Sequence, residues 1–237
     1  MFRERRRALL NFACGGLLAG AAVLASTTAL AECRDLPQST LQLYSVEAVE
    51  QQNVHVAKNG LTQEFSPDLL VIRHSLMLIV SNVVGVTEIN NRVFWTADGT
   101  ICGSPDLVRI GFGSTQRMTF LVQPAADDDC VRRKMLDHRE AHARALDDTV
   151  LRFIDEQQGI LQQGMTALKK TPAPSAKAVE DQWHAGLQLV VSVARQRLIT
   201  EMRAASARVD DGSVLTDLAN SCDGKIRRLD QYLEMNP

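Results

Sequence analysis

The chain has no CxxC pair, no HExxH motif, no internal repeat and no low-complexity tract. The first absence removes the usual thiol signatures of a redox or structural zinc site. The second removes the motif by which a zinc peptidase announces itself. The third rules out a solenoid or propeller. Basic residues never gather into a patch dense enough for nucleic-acid binding. The triple acid Asp127-Asp128-Asp129 lacks the spaced oxygens and glycine of a calcium loop. With 45% hydrophobic and 23% charged residues, the 237-residue chain is neither a disordered tail nor a polytopic membrane protein.

What is present begins at the N-terminus. Arg3, Arg5, Arg6 and Arg7 precede an apolar run from Ala8 to Leu24, and Ala29-Leu30-Ala31 supplies small residues for signal peptidase. Residues 1–31 therefore read as a cleavable signal peptide, with Glu32 as the new N-terminus. The run is rich in Gly and Ala and ends in Ser26-Thr27-Thr28, which suits a leader better than a spanning anchor. The destination implied is periplasmic or secreted, with no stable membrane insertion after cleavage. Losing four arginines and one glutamate takes the formal charge from −2 to −5.

Four cysteines then remain: Cys33, Cys102, Cys130 and Cys222. An even number in an exported protein implies two disulfides, for which three pairings exist. The expected pairs are Cys102–Cys130, closing a local unit, and Cys33–Cys222, joining the chain ends.

Residues 32–237 suffice for one domain with its own core. Residues 32–124 are strand-rich. Leu69 to Arg73, Ser75 to Val80 and Arg92 to Thr96 are β-prone runs, the last ended by Ala97-Asp98-Gly99-Thr100. Leu107 to Gly113 and Met118 to Val122 read as two strands joined at Gly113-Ser114-Thr115. Residues 125–237 are helical. Met135, His138, His142, Leu146, Val150 and Phe153 recur at steps of three and four. Thr171-Pro172-Ala173-Pro174-Ser175 interrupts, with Ser175 placed to N-cap a second helix. That helix carries Trp183, Leu187, Val190, Ala194, Leu198 and Met202 on one face and stops at Asp210-Asp211-Gly212-Ser213. A third covers about 214–232. The fold class is α+β: a mostly antiparallel sheet region, then three helices, the first long and carrying the histidine pair.

His138 and His142, four apart, lie ~40° apart on one helix face, one turn above the other. This spacing offers two imidazoles to one zinc ion. Both sit on the apolar stripe and point inward. A plainer reading has them as packing residues bonded to sheet loops and Glu180.

The layout resembles that of secreted bacterial zincin-like proteins. The stretches that carry the resemblance are Thr100-Ile101-Cys102, Ile110-Gly111-Phe112-Gly113, Met118 to Val122, Cys130 to His138, Val209-Asp210 and Leu218 to Cys222. It implies a zinc site on the histidine helix and a distal acidic ligand. Glu180, on the apolar arc of the second helix, could be that ligand, although an acid in a first turn is also favoured by the helix dipole. His184 lies at the edge of the same arc.

One departure decides the expected chemistry. A zincin needs a glutamate directly after the first histidine as general base. Here that residue is Arg139, which cannot accept a proton and would repel a cation placed beside it. Helical rotation aims Glu140 to the far side and Asp137 to the wrong flank. Asp148, six residues after His142, lacks the glycine that would turn the helix, since Ala145 holds that place. His55 and His74, in strand-like segments without partners, read as structural, and Trp95 and Trp183 as packing anchors.

Three functions follow. The favoured one is an exported zincin-like protein with no catalytic residue, with a binding or structural role in the cell envelope. The second is an active zinc hydrolase that draws its base from elsewhere, such as Glu180. The third is an envelope protein without metal.

Overall fold

The computed structural model describes Cys33 and residues 38–56, 61, 63–95, 99, 101–167 and 172–235. For residues 52–55, 95, 166 and 167 the backbone alone is described. The expected leader at 1–31 lies outside the described residues, as do most of the turn at 97–100 and the side chains of His55 and Trp95.

Among the described residues, five strands precede four helices, an α+β arrangement. The strands are β1 (Thr40–Val46), β2 (Val49–Val56), β3 (Leu70–Arg73), β4 (Met77–Trp95) and β5 (Ile101–Val122). The helices are α1 (Gln123–Asp127), α2 (Asp129–Ala167), α3 (Ala176–Val209) and α4 (Gly212–Met235). Among the described residues the sheet order is β1-β5-β4-β3. The β3–β4 and β4–β5 pairs are antiparallel, as expected. The sheet is nonetheless mixed, because β1 and then β2 run parallel along the free edge of β5.

The largest correction to the strand reading lies in β4 and β5. Ser75–Val80 and Arg92–Thr96 do not form separate strands; β4 runs unbroken from Met77 to Trp95. Nor does Gly113-Ser114-Thr115 make a hairpin. Asn82 faces Gln116 and Val83 faces Ser114, so Thr115 is the extra residue of a β-bulge inside one continuous strand. The hydroxyls of Ser114 and Thr115, which suggested a turn, are met there by side chains of β4. Ser81 Oγ donates to Ser114 Oγ at 2.8 Å, and Asn82 Nδ2 donates to Thr115 Oγ1 at 3.0 Å. Gly113 is needed at this point: its φ is +153°, and a Cβ would lie 2.1 Å from the Val46 carbonyl oxygen of β1.

The two long helices cover the sheet. Phe112 of β5 meets Phe153 of α2 edge to face at 5.3 Å between centroids. Trp183 is buried on α3, as read, and its Nε1 donates to the Gly103 carbonyl at 3.4 Å. Gly85 lets α3 approach, since a Cβ there would come within 2.5 Å of Val191 Cγ1. Ser175 caps α3 as expected, its Oγ accepting from Ala178 N at 3.1 Å. At the start of α2, Asp128 Oδ1 accepts from the amides of Cys130 and Val131. Its other carboxylate oxygen takes Lys225 Nζ of α4 at 2.7 Å. That hydrogen bond and the two amides hold the Asp128 carboxyl below its usual range. The middle of the triple acid is thus a cap and a tie to α4. The third long helix is broken at Ser221–Gly224, where Cys222, Asp223 and Gly224 have positive φ.

The expected disulfide pairing is overturned. The bridges are Cys33–Cys102 and Cys130–Cys222. Because β5 is one strand of 22 residues, Cys102 stands at its first end and Cys130 beyond its last, and an extended strand of that length spans roughly 70 Å at 3.3 Å per residue. Cys33 reaches Cys102 because β1 runs parallel to β5, with Thr40 opposite Leu107. Non-reducing peptide mapping should recover these two pairs, and a peptide joining Cys102 to Cys130 would contradict the continuous strand.

Candidate metal centre

His138 and His142 keep the geometry that their spacing dictates. They share one face of α2, are buried, and their Nε2 atoms lie 3.3 Å apart. The fold brings two further groups to them. His74 stands in the tight turn between β3 and β4, where its N–H donates to the Met77 carbonyl at 2.7 Å. Its Nε2 is 3.1 Å from that of His142. Asp210 is the C-cap of α3, its amide donating to the Ser206 carbonyl at 3.2 Å. Its Oδ1 lies 3.1 Å from His138 Nε2, 3.0 Å from His142 Nε2 and 3.4 Å from His74 Nε2.

Four ligand atoms thus face a common point, all within 4.8 Å of one another. Protons alone serve such a cluster poorly. A neutral imidazole presents at Nε2 either one N–H or one lone pair, directed along one line in the ring plane. Three such nitrogens and one carboxylate oxygen cannot satisfy every close approach at once. A single cation at the centre can. Zinc binds nitrogen and carboxylate oxygen at about 2.0–2.2 Å, which sets tetrahedral edges of about 3.3–3.6 Å. Five of the six edges run from 3.0 to 3.4 Å, at or just below that range, and the sixth, between His74 and His138, is within 4.8 Å. Three imidazoles and a carboxylate are borderline-to-hard donors that suit zinc and its first-row neighbours better than calcium or magnesium.

The surroundings prepare the imidazoles as ligands. Ser206 Oγ is 3.1 Å from His142 Nδ1. With Nδ1–H donating to that hydroxyl, the Nε2 lone pair is left for the centre. Burial pushes the His142 pKa down to about 4; Asp210 opposes this and the two neighbouring histidines reinforce it. His74 is lowered for the same chief reason, burial, with Asp210 raising it and His138 lowering it. Both are therefore unprotonated at neutral pH.

The expected third ligand stands elsewhere. Glu180 Oε1 pairs with His184 Nε2 at 3.5 Å across one turn of α3, and both side chains are about half-exposed. Neither joins the group of four. The local pair with His184 accounts for Glu180, which lies just past the first turn of α3 and so is not placed there by the helix dipole. Asp137 and Asp148 are exposed on α2. His74 was read as structural, and Asp210 as part of a helix stop, because nothing local in the sequence marks either as a ligand.

Arg139 is buried, but its charge is not spent on the centre. Nη1 donates to Glu50 Oε2 at 2.7 Å, and Nη2 contacts Glu140 Oε1. Glu50 Oε1 also accepts from Arg117 Nη1 at 2.7 Å, and Arg117 Nη2 donates to Asp147 Oδ1 at 2.7 Å. This network borders a cavity of about 420 Å³ that none of the four cluster residues lines. The repulsion expected between Arg139 and a bound cation is thus balanced by two adjacent carboxylates.

Comparison with protein-family models, with curated proteins and with solved structures gives no match.

Proposed function

We propose that this is an exported, disulfide-bonded protein that binds one divalent transition-metal ion, zinc by its donor set, through His74, His138, His142 and Asp210. The observation that carries the reading is the convergence of three imidazole nitrogens and one carboxylate oxygen from three separate parts of the fold. Export is supported by the leader-like N-terminus and by two disulfides. Among the described residues no helix is long and apolar enough to cross a membrane.

The same reading makes the protein a binder rather than a peptidase. Four protein ligands fill a tetrahedron, the arrangement of structural zinc sites, whereas catalytic sites keep a position for water. The place of the general base holds Arg139, tied to Glu50 and Glu140. Glu180, the substitute base considered above, is engaged with His184. Kinship with zincin-like proteins rests on the HxxxH helix and the strand-and-cysteine layout. His74, which precedes that helix, would be a departure from it.

Metal analysis of the oxidised protein, after equilibration with zinc and desalting, should find one ion per chain. His138→Ala should reduce this to background. Zinc retained equally by the variant would overturn the assignment. Casein incubated with the zinc-loaded protein should stay intact. Cleavage that disappears in His142→Ala would show an active hydrolase instead.

A further inference from the structure

One edge of the sheet is long and carries no partner. β4 pairs with β5 from Met77 to Trp95, but β3 covers its outer side only from Leu78 to Ser81. Arg195 Nε of α3 then donates to the Val83 carbonyl at 2.7 Å. From Val84 to Phe94 no strand lies on that side among the described residues. In an antiparallel ladder every second residue turns its N–H and C=O away from the strand it is paired with. The stretch therefore offers a row of backbone donors and acceptors, which is a template for another strand.

Its side chains are patterned. A Cβ on Gly85 would meet Val191 of α3, so alternate residues from Gly85 onward face that helix. Val86, Glu88, Asn90 and Arg92 face the other way and are exposed. The charged residues of the stretch are Glu88 and Arg92, and they stand equally far on either side of Asn90. An edge charged with one sign would repel a second copy of itself; this one carries both signs, placed symmetrically. Glu88 Oε2 accepts from Arg109 Nη1 at 2.8 Å, and Arg92 Nη2 donates to Asp106 Oδ2 at 2.9 Å. Glu88 Oε1 and Arg92 Nη1 have no partner among the described residues.

We propose that two copies of this chain join along the edge, β4 antiparallel to β4, with Asn90 opposite Asn90. In that register Glu88 of each copy faces the partner's Arg92. No other antiparallel register of β4 on itself opposes these two charges. With the pairs already made to β5, a row of alternating sign crosses the joined sheet: Arg109, Glu88, the partner's Arg92 and the partner's Asp106. The exposed Val86 faces the partner's Phe94, and the exposed Val93 faces the partner's Thr87. β3 ends opposite Ser81, short of the place where the second strand lies. The contact has two-fold symmetry, so it closes at a dimer. It requires no metal.

Sedimentation equilibrium of the oxidised protein, with chelator present, should show a monomer and a dimer in exchange and nothing larger. Glu88→Arg sets arginine against the partner's Arg92, and Arg92→Glu sets glutamate against the partner's Glu88. Each variant alone should dimerise at least about tenfold more weakly than the wild type. An equimolar mixture of the two should dimerise as tightly as the wild type, because every facing pair is again opposite in sign. Recovery on mixing cannot come from a folding defect in either variant. A wild-type chain that stays monomeric at its highest soluble concentration would overturn the proposal. So would a dimer indifferent to both substitutions, or a mixture no tighter than its components.

Discussion

Truncating His142 to alanine should lower zinc affinity about a thousandfold. Structural zinc sites gain roughly 10–16 kcal/mol from four ligands, so one ligand accounts for ~3–4 kcal/mol. His142 is the ligand whose loss should cost most. It is fully buried, its Nε2 lies within 3.3 Å of all three other ligand atoms, and Ser206 orients it. The thermal midpoint gives the cleanest measurement. Zinc held at ~1,000 times Kd should stabilise the wild type by about 4 kcal/mol. For a domain of this size that is a rise of roughly 10 °C. His142→Ala should show almost no rise, whatever its own midpoint. An equal rise in both would remove His142 from the site.

Acidity should act in a defined direction. In the metal-free protein His142 has a folded pKa of about 4, below its ordinary value of 6.5. Between those values the unfolded chain binds more protons than the folded one. The stability contributed by the neutral imidazole is therefore present above pH 6.5 and is lost as pH falls towards about 4. His74 shifts in the same direction. Zinc holds the imidazoles unprotonated, so the loaded protein should resist acid to a lower pH than the free one. Urea midpoints taken with zinc and with chelator across this range should diverge on acidification, until protons displace the metal.

Arg139→Glu, which would restore the glutamate of an HExxH motif, should destabilise the protein by at least about 3–5 kcal/mol. Viewed along the sequence, the change replaces a repelling cation with an attracting anion, and zinc affinity ought to rise. The fold adds a cost in stability that this expectation leaves out. Arg139 is 5% exposed and bridges Glu50 and Glu140, and Glu50 is shared with the buried Arg117. The two carboxylates left behind are a third to a half exposed and lose little, but an uncompensated carboxylate placed against them at this buried position costs about 3–5 kcal/mol. Chemical denaturation of the zinc-free proteins should reveal the loss. Arg139→Met should recover part of it, because it omits the new charge. If Arg139→Glu matched the wild type in stability, the network would be energetically idle.

Half of the site was legible in the sequence, and the reason is geometric. His138 and His142 share one helix, so local periodicity alone sets them side by side. His74 and Asp210 meet them only because β3, α2 and the end of α3 converge at one end of the sheet. A hint for His74 lay in its position between two β-prone runs, where a turn would lift it clear of the sheet. Asp210 had no such signal, because an acid before Asp-Gly-Ser reads first as a helix stop. The disulfide error had a single source. Glycine, serine and threonine at 113–115 serve a hairpin and a bulge equally well, and the choice turns on the distant Val46. Once a hairpin was assumed, Cys102 and Cys130 appeared to be neighbours. Capping by Ser175 was readable because it depends only on the next three residues.

The parallel edge of the sheet also bears on the order in which the chain can fold. Thr40 pairs with Leu107, and Val49 with Gln116. Synthesis runs from the N-terminus, so β1 and β2 emerge well before the strand that receives them. Until β5 arrives, their backbone groups can bond only to water or to another chain. The β4–β5 pairing is local and can form first, whereas docking β1 and β2 must close a long loop. The sequence of β2, Val-Glu-Gln-Gln-Asn-Val-His-Val, is polar enough to wait in water without seeking a wrong partner. The bridge from Cys33 to Cys102 would then form late and hold the last strand to arrive.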